Sequence, residues 1–246
     1  MAIEIQPVDP FDDAAVNAWW DIYAAARRAD RGDDAILWSL EETRLELQQD
    51  SAVSERRALL ARREGVAVGA GSLALPLKDN LHLADIAVYV AAPDRRQGIG
   101  SALLAALEER AAGRSRRTFL GETQWPATAP ADGAGLPGLE FARRHGYEIA
   151  LGDLESVLEL PLAEEELARF GAEAPHDDYV LRGWIGPVPD DLVAGWAALD
   201  SALDTESPMG DLDLEVATPD VAAVRERESL IAAQGRTSFG VVALSL

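Results

Sequence analysis

The chain has 246 residues, of which 48% are hydrophobic and 26% are charged, and it contains no cysteine. These proportions are typical of a globular protein, and the lack of cysteine excludes disulfides, thiolate zinc sites and a cysteine nucleophile. The formal net charge of −21 argues against nucleic-acid binding, because a surface of that sign repels phosphate. The same charge is interpreted as serving solubility, with attraction of a cationic small molecule as the alternative.

No run approaches ~18 successive apolar residues, so neither a transmembrane helix nor a membrane partner is expected. The first residues, MAIEIQPVDPFDD, are acidic and lack the apolar region of a secretory signal. The sequence therefore predicts a cytoplasmic protein.

Strand and helix patterns alternate along the first 160 residues. In chain order they predict a strand over 2–8, helices from residue 12 and over 39–49, a hairpin over 56–77, a strand over 82–90, a helix over 101–112, a buried strand over 118–124, a helix over 138–147 and a strand over 148–160. Local signals define several ends, namely Asp12 or Asp13 as a cap, a capping box of Ser39 and Glu42, and a turn at Glu64 and Gly65. Hairpins mixed with helical crossovers imply a mixed α/β sheet.

The rest of the chain falls into two segments. Residues 161–177 combine a short amphipathic helix with an acidic linker. Residues 178–246 read as strand, helix, helix and strand, and they therefore repeat the first four elements of 1–60. No basic residue lies between Arg182 and Arg225, so this segment has no counterpart of the cationic turn at 95–101.

Residues 95–101, with the sequence RRQGIGS, form an unusual connection from a strand to a helix. A helix N-terminus offers unpaired backbone N–H groups that bind phosphate readily, and Gly98 and Gly100 allow a ligand to approach the backbone closely. A P-loop would require Lys followed by Ser or Thr after Gly100, and a dinucleotide fingerprint would require Gly or Ala in place of Leu103. The turn therefore predicts a diphosphate site of another type.

The pattern Arg-x-x-Gly-x-Gly, between an apolar strand and a leucine-rich helix, resembles the acetyl-CoA signature of the GNAT superfamily of N-acetyltransferases. Here it runs from Arg95 to Gly100, and the surrounding elements follow the GNAT order over about residues 2–160. The resemblance implies an α/β GNAT (acyl-CoA N-acyltransferase) fold, with a mixed sheet flanked by helices and a complete acetyl-CoA-binding domain over 1–160. It also implies acetyl-CoA as the acyl donor and no metal.

The resemblance further implies which residues hold the donor. The backbone of Val88 and Val90 would pair with the pantetheine arm, and main-chain amides of the turn would hold the pyrophosphate. The turn consists of Arg95, Arg96, Gln97, Gly98, Ile99, Gly100 and Ser101. The side chains of Arg96 and Gln97 would lie in solvent. The basic run 114–117 is interpreted as a solvated face, with a contact to the 3′-phosphate of CoA as the alternative.

The repeated segment resembles the two-domain actinobacterial GNAT proteins, a group that includes relatives of mycothiol synthase. In that resemblance residues 178–246 form an incomplete, degenerate second GNAT-like half after the acidic linker 161–177. A full donor site is expected only in the first domain, because the second half has no cationic turn. An unfinished sheet edge in this half favours pairing with another strand, and a homodimer is one arrangement that supplies it.

Acetyl transfer to an amine requires a base for the amine and stabilisation of the oxyanion. The resemblance implies an oxyanion contact near the backbone N–H of Val88 and a carboxylate on one of the strands around the acetyl group. Asp85 and Glu122 are the candidate bases, with a structural role as the alternative for each. The tyrosine that usually serves as general acid is replaced by Ala142, and Tyr89 is a candidate substitute, with a place in the core as the alternative.

Aromatic residues and histidines complete the candidate site. The candidates for walls of the acceptor pocket are Trp38, Trp125 and Tyr23, because the loop after the first helix and the end of the fifth strand flank that pocket in GNAT folds. The three histidines, His82, His145 and His176, show no metal-ligand spacing. His82 is also a candidate to approach the substrate, with a structural role as the alternative.

Two hypotheses emerge for the first domain. The leading one is an N-acyltransferase that moves an acetyl group from acetyl-CoA to a primary amine of a small molecule, with a cationic acceptor favoured by the net charge. The alternative is a non-catalytic acetyl-CoA-binding module that acts as a sensor or as the structural half of a tandem protein. A purely structural interaction module would leave the glycines and arginines of the turn unexplained.

Overall fold

The computed structural model describes residues 2–173 and 178–246. The strands are β1 Glu4–Pro7, β2 Ser54–Arg63, β3 Val66–Pro76, β4 Leu83–Tyr89, β5 Thr118–Leu120, β6 Tyr179–Ile185 and β7 Phe239–Ser245. The helices are α1 Asp13–Arg31, α2 Leu40–Gln48, α3 Ile99–Ala112, α4 Pro137–Arg144, α5 Glu164–Glu173, α6 Val193–Glu206 and α7 Val221–Ala233. Within these two described ranges, none of the helices combines the length and apolar character needed to cross a bilayer.

The ends of several elements arise directly from local side-chain chemistry. The Asp12 carboxylate accepts hydrogen bonds from two amides of the first turn of α1, which it therefore caps. Ser39 and Glu42 exchange the two hydrogen bonds of a capping box at the start of α2. The β2–β3 hairpin turns at Glu64 and Gly65, both of which have positive φ. These three predictions from sequence are confirmed.

Strands β1 to β5 form one mixed sheet in that order. The first four strands pair antiparallel, whereas β4 and β5 run parallel. Their parallel pairing ends where Asp85 lies opposite Leu120. The edge of β4 from Ile86 onward therefore has no paired strand on that side among the described residues.

Helices cover both faces of this sheet, so it has two apolar cores. On one face α3 buries Leu103 and Leu107 completely against β3 and β4. On the other face α1 buries Val16 and Trp19 against Leu60 of β2 and its neighbours. The Trp19 indole N–H also donates a hydrogen bond to the Gly71 carbonyl at 2.9 Å, which ties α1 to β3.

The last part of the chain forms a smaller unit. Strands β6 and β7 pair antiparallel in a separate two-stranded sheet, and α6 and α7 lie between them in sequence. Its buried cluster comprises Val188, Val193, Ala197 and Val224. This order, a strand, two helices and an antiparallel strand, is the order that β1, α1, α2 and β2 have at the start of the chain.

Two predicted strands differ from the structure. The fifth strand ends at Leu120 and its residues are only half-buried, so the prediction of a buried strand over 118–124 was too long. The predicted strand over 148–160 was wrong, because that segment has no regular structure and residues 151–160 are exposed. The alternating pattern there meets no strand partner in the described structure. The helix predicted in the linker is α5, and His176 lies outside the described residues.

Candidate functional site

The turn between β4 and α3 presents a row of free amides. After one turn of 3-10 helix over Ala92–Asp94, Arg96 has a φ of 63° and Gly98 a φ of 82°. Gly98 is the N-cap of α3, and apart from its neighbours in the chain no described residue has an atom within 4 Å of the place that a Cβ would occupy there. Within the described ranges, the backbone N–H groups of Gly98 to Ser101 donate to no protein acceptor. These are the donors that a helix start offers to an anion.

Two arginines hold this turn in place. Arg95 extends from the turn to α1, where its guanidinium contacts both carboxylate oxygens of Asp30 at 2.7 and 3.1 Å. Its Nε also donates to the Val90 carbonyl at 2.9 Å. Arg63 of β2 donates to Asp94 at 3.2 Å and to Gln97 on the other side of the turn. The charge of Arg95 is therefore already paired, whereas Arg96 is exposed and makes no ion pair with any residue that the structure describes.

Gly100 serves packing as well as access. A Cβ at Gly100 would meet the ring of Phe141 at 3.1 Å, because α4 lies directly against the start of α3. One position along, the Ser101 hydroxyl lies 2.9 Å from His145 Nε2. A side chain at Gly100 would therefore displace Phe141, so this glycine is needed for packing as well as for the close approach of a ligand that the sequence predicts.

A cavity of about 240 Å³ lies between α1, α2 and the sheet, beside the open end of β4. Aromatic rings form much of its wall, from Trp19, Tyr23, Trp38 and Tyr89. The charged side chains that line it are Arg27, Glu46, Arg56, Arg57 and Glu122. The cavity thus combines flat apolar walls with groups of both charges, which is the usual construction of a small-molecule site.

The aromatic floor is held together by ring contacts. The centroids of Tyr23 and Tyr89 are 5.0 Å apart in an edge-to-face arrangement, and Trp19 stacks on Tyr23 at 5.6 Å. The Trp38 backbone N–H donates to the Tyr23 hydroxyl at 3.1 Å. The Tyr89 hydroxyl, in contrast, makes no hydrogen bond to any residue that the structure describes.

The electrostatics around Tyr89 keep it protonated. Burial raises the pKa of Tyr89 to about 12, the Tyr23 ring and the Glu122 carboxylate act in the same direction, and the positive charge of Arg27 opposes them. Arg27 and Glu122 therefore both lie close enough to this hydroxyl to act on its charge. A phenol in that state is a hydrogen-bond donor at neutral pH.

The two candidate bases occupy different positions. Glu122 lies just beyond β5, is exposed and lines the cavity, and it accepts a hydrogen bond from Gln124 at 3.2 Å. The interpretation that Glu122 stands inside an apolar strand was wrong, because β5 has already ended. Asp85 is on β4 outside the cavity lining. Although its side chain reaches solvent, the surrounding protein raises the pKa of Asp85 by desolvation, and Arg56 opposes that shift.

Of the aromatic residues and histidines predicted to lie near the acceptor, only some are found at the cavity. Tyr23 and Trp38 line the cavity as expected, but Trp125 does not. His82 faces the C-terminal unit, where its Nε2 lies 3.0 Å from the Asp213 carbonyl, so it is not at the cavity.

The basic run 114–117 is not simply a solvated face. Arg116 is buried and its guanidinium donates to the carbonyls of Leu81 and Pro76, the latter at 2.6 Å. Arg114 forms an ion pair with Glu55 at 2.6 Å. Only Arg117 of the three arginines is left exposed without such a contact in the described structure.

The sequence did not predict that Arg27 lies at the cavity or that Arg63 contacts the turn. Arg27 comes four residues after Tyr23 on α1, so the apolar stripe of that helix points to its side of the helix. This spacing was the signal that could have found it. Arg63 contacts the turn across 31 residues, and no local pattern indicates such a contact.

Comparisons with known proteins agree with this architecture. Residues 16–129 match the sequence model of the acetyltransferase (GNAT) family. A tandem GNAT protein from the clavulanic acid biosynthesis pathway is 21% identical, with a TM-score of 0.68 over 99% of this chain and 70% of that chain. An aminoglycoside acetyltransferase from an uncultured soil metagenomic sample is 17% identical, with a TM-score of 0.48 over 64% of this chain and 97% of that chain. No curated protein sequence matches the chain.

Residues 16–129 therefore match the acetyltransferase (GNAT) family, and the structure has the mixed sheet and flanking helices of the GNAT fold. Over its described length it has the fold of a tandem GNAT protein. The resemblance that the turn at 95–100 indicated is confirmed at the level of superfamily and tandem type.

Proposed function

We propose that the first domain, residues 1–160, binds acetyl-CoA at the turn 95–101 and transfers the acetyl group to a primary amine of a small molecule. The observation that carries the proposal is the row of four unpaired amides at the start of α3. These amides adjoin the open edge of β4, which leads to the cavity. A diphosphate, an extended amide-containing arm and a small acceptor would each find a matching surface there.

In this proposal the amides of Gly98 to Ser101 hold the diphosphate, and Arg96 contributes its unpaired charge. Arg95 and Gln97 act on the shape of the turn, because their side chains are bonded to Asp30 and Arg63. The backbone of Val88 and Val90 borders the pantetheine arm, although the Val90 carbonyl already accepts a hydrogen bond from Arg95. Ile99 is buried and anchors the first turn of α3 to the sheet.

Acetyl-CoA supplies an activated thioester. The amine nitrogen of the acceptor forms a bond to the carbonyl carbon, and the bond from that carbon to sulfur breaks. The surplus proton of the amine passes to the Glu122 carboxylate, which lines the cavity. The oxyanion accepts a hydrogen bond from the backbone N–H of Val88. Asp85 is the weaker candidate for the base because it lies outside the cavity lining.

The leaving thiolate must be stabilised without a tyrosine at Ala142. Tyr89 offers a free hydroxyl at the cavity, but its pKa of about 12 exceeds that of a thiol, which is ~8.5. Tyr89 is therefore a hydrogen-bond donor to the thiolate, and the proton that completes free CoA comes from water.

The second candidate function is acetyl-CoA binding without turnover. The replacement of the usual tyrosine by Ala142 favours it. In that case the domain would hold the ligand as a sensor, or would serve as the structural half of the tandem protein. Both candidates require the turn to bind acetyl-CoA, and they differ only in whether an amine is acetylated.

Thermal unfolding in the presence of acetyl-CoA tests the shared requirement, with ATP and NADH as controls. A ligand at about a hundred times its dissociation constant adds ~2.7 kcal/mol to the free energy of unfolding, which raises Tm by roughly 5–10 °C in a chain of this length. A rise with acetyl-CoA alone supports the proposal, and no rise at saturating ligand refutes it. Release of the CoA thiol in the presence of a panel of amines then separates the enzyme from the binding module.

A further inference from the structure

One cation in the cavity wall has no counter-ion. Arg27 lies on α1, one helical turn after Tyr23, and is half-buried. Its Nε is fully buried and has no hydrogen-bond partner. Its Nη2 donates only a long hydrogen bond of 3.4 Å to the Ile36 carbonyl. None of the described carboxylates forms an ion pair with it, so its charge has no counter-ion among the described residues.

The other two arginines of the cavity each form an ion pair. Arg56 contacts Glu46 at 3.1 Å, and Arg57 contacts Glu55 at 3.1 Å, a carboxylate that it shares with Arg114. A partly buried guanidinium is costly to leave unpaired, and the structure supplies partners for the other two. The unmatched charge of Arg27 therefore points to a ligand that brings its own anion.

A second charged group limits what that ligand can be. Glu122 lines the same cavity, and Arg27 and Glu122 both act on the charge of the Tyr89 hydroxyl. Two opposite charges and the Tyr89 ring thus line the same cavity. A ligand with an ammonium and an anionic group at its two ends, and a flat apolar body between them, matches this arrangement.

We propose that the acceptor of the reaction is an amine that also bears a carboxylate, which the Arg27 guanidinium binds. This rests on the proposed function for the amine, whereas the carboxylate contact itself does not require turnover. A planar guanidinium binds a carboxylate through two parallel hydrogen bonds, which also orients the ligand. The acceptor is then zwitterionic, in place of the simple cation that the net charge of −21 favours.

A phosphate of the donor is the other possible source of the anion. Arg27 lines the cavity, whereas the residues of the turn 95–101 are not part of its lining, although Arg95 of that turn contacts Ala26 and Asp30 of α1. The free amides proposed to hold the diphosphate start α3 itself. The geometry therefore favours the acceptor carboxylate.

The test is a calorimetric titration of the full chain, saturated with CoA, with matched pairs of probes. Each pair consists of an aromatic amino acid and its decarboxylated amine, namely phenylalanine with phenethylamine, tyrosine with tyramine, and tryptophan with tryptamine. A charged hydrogen-bonded pair predicts that the acid member binds about 10- to 100-fold more tightly. The variant Arg27→Gln should lose this preference and keep its affinity for CoA, and Arg27→Lys should retain part of it.

Arg28→Gln is the matched control. Arg28 is the next residue of α1, is exposed and lies over the Trp20 ring at 5.9 Å, outside the cavity lining. This variant should keep both the preference and the CoA affinity. Equal binding of both members of every pair, or binding of neither, overturns the carboxylate proposal. So does an Arg27→Gln variant that loses CoA affinity but keeps the preference, since the anion would then be a donor phosphate.

Failure of the proposed function would look different. A wild-type chain that does not bind CoA, or that releases no thiol with any of these amines, contradicts the transferase. The preference for the acid member is measured by binding, without CoA if the chain does not bind it, and still decides the role of Arg27 in that case. All variants are compared by thermal unfolding, so that a folding defect is seen directly.

Discussion

The two units of the chain begin alike and then diverge. In each, a strand, two helices and an antiparallel strand succeed one another. In the first unit, β2 continues into β3 and β4, and β4 leads to the turn at 95–101 and to α3. No further strand comes after β7 in the described structure. The four shared elements supply part of the cavity wall, while the proposed donor site depends on the elements after them.

The two units also differ in the size of their apolar cores. Among the residues that the structure describes, the apolar cluster around α3 has twelve buried members and that around α1 has nine, whereas the cluster of the second unit has four. A two-stranded sheet with so small a core is marginal by itself. Polar contacts to the first unit supplement it, because Asp79 accepts from Thr218 at 2.8 Å, and Asn80 and Glu215 bond to each other at 2.7 Å. The second unit therefore depends on the first for stability.

Among the predictions, the largest effect is expected from replacing Gly98 by valine, because this change acts on the turn, which has no counterpart in the described part of the second unit. The residue has a φ of 82°, which costs an L-residue about 1–2 kcal/mol and a β-branched one more. The turn would shift to relieve this strain, and the amides of α3 would no longer converge on one anion. We expect acetyl-CoA binding to fall below detection by calorimetry.

Gly186→Val is the control for that change. Gly186 comes directly after β6, has a φ of 84°, and has open space around its Cβ position, as Gly98 does. It should carry a similar backbone cost and leave acetyl-CoA affinity unaltered. An equal loss of binding in both variants would mean that general destabilisation, not the turn, is responsible.

Glu122→Gln should lower turnover by about 10²- to 10⁴-fold if Glu122 is the base. The amide keeps the size of the side chain but cannot take a proton from the amine. The affinity for acetyl-CoA should stay the same, because Glu122 lines the cavity and lies outside the turn. Steady-state release of CoA thiol measures the effect, with Asp85→Asn assayed in parallel. A larger loss in Asp85→Asn would assign the base to β4.

Core truncations compare the stability of the two units. Leu103→Ala removes a fully buried side chain of α3 and should cost about 2–5 kcal/mol of the free energy of unfolding. Val224→Ala in the second unit should cost about 1–2 kcal/mol, at ~0.8 kcal/mol per buried methylene. Denaturant unfolding measures both changes. Hydrogen exchange should show that Val224→Ala opens α7 alone, and opening of α3 by the same variant would contradict the dependence of the second unit on the first.

Local chemistry made much of the fold predictable. The caps at Asp12 and Ser39 and the turn at Glu64 depend on residues within four positions of each other, so the sequence displays them directly. The turn at 95–101 could be predicted for the same reason, because its glycines and the helix start are adjacent. The sequence did not predict which residues the side chains of the turn contact.

The features that could not be predicted depend on distant partners. The alternating segment 148–160 remains irregular because a strand needs a neighbouring edge, which its own sequence cannot reveal. Arg95 is paired with Asp30 across 65 residues, so its charge looked available to a ligand. The free charge of Arg27 likewise becomes visible only when every possible partner in the described structure has been placed.

The junction between the units should respond to acid. Asp220 caps α7 and accepts a hydrogen bond from Lys78, and this bond, with those from Ala223 and Ala222, lowers the pKa of Asp220 below its usual 3.8. A lowered pKa stabilises the folded state above the unfolded value, and that stabilisation is lost as pH falls through the folded pKa. Asp220→Asn keeps a good cap but removes the charge. The difference in unfolding free energy between this variant and the wild type should therefore be largest at neutral pH and should shrink as the pH falls below 4.

Lys78→Gln should reduce the same difference, since it removes the donor, and the two changes should be non-additive in a double-mutant cycle. Urea unfolding over a pH series measures these differences, and a constant difference would show that the ion pair does not stabilise the junction.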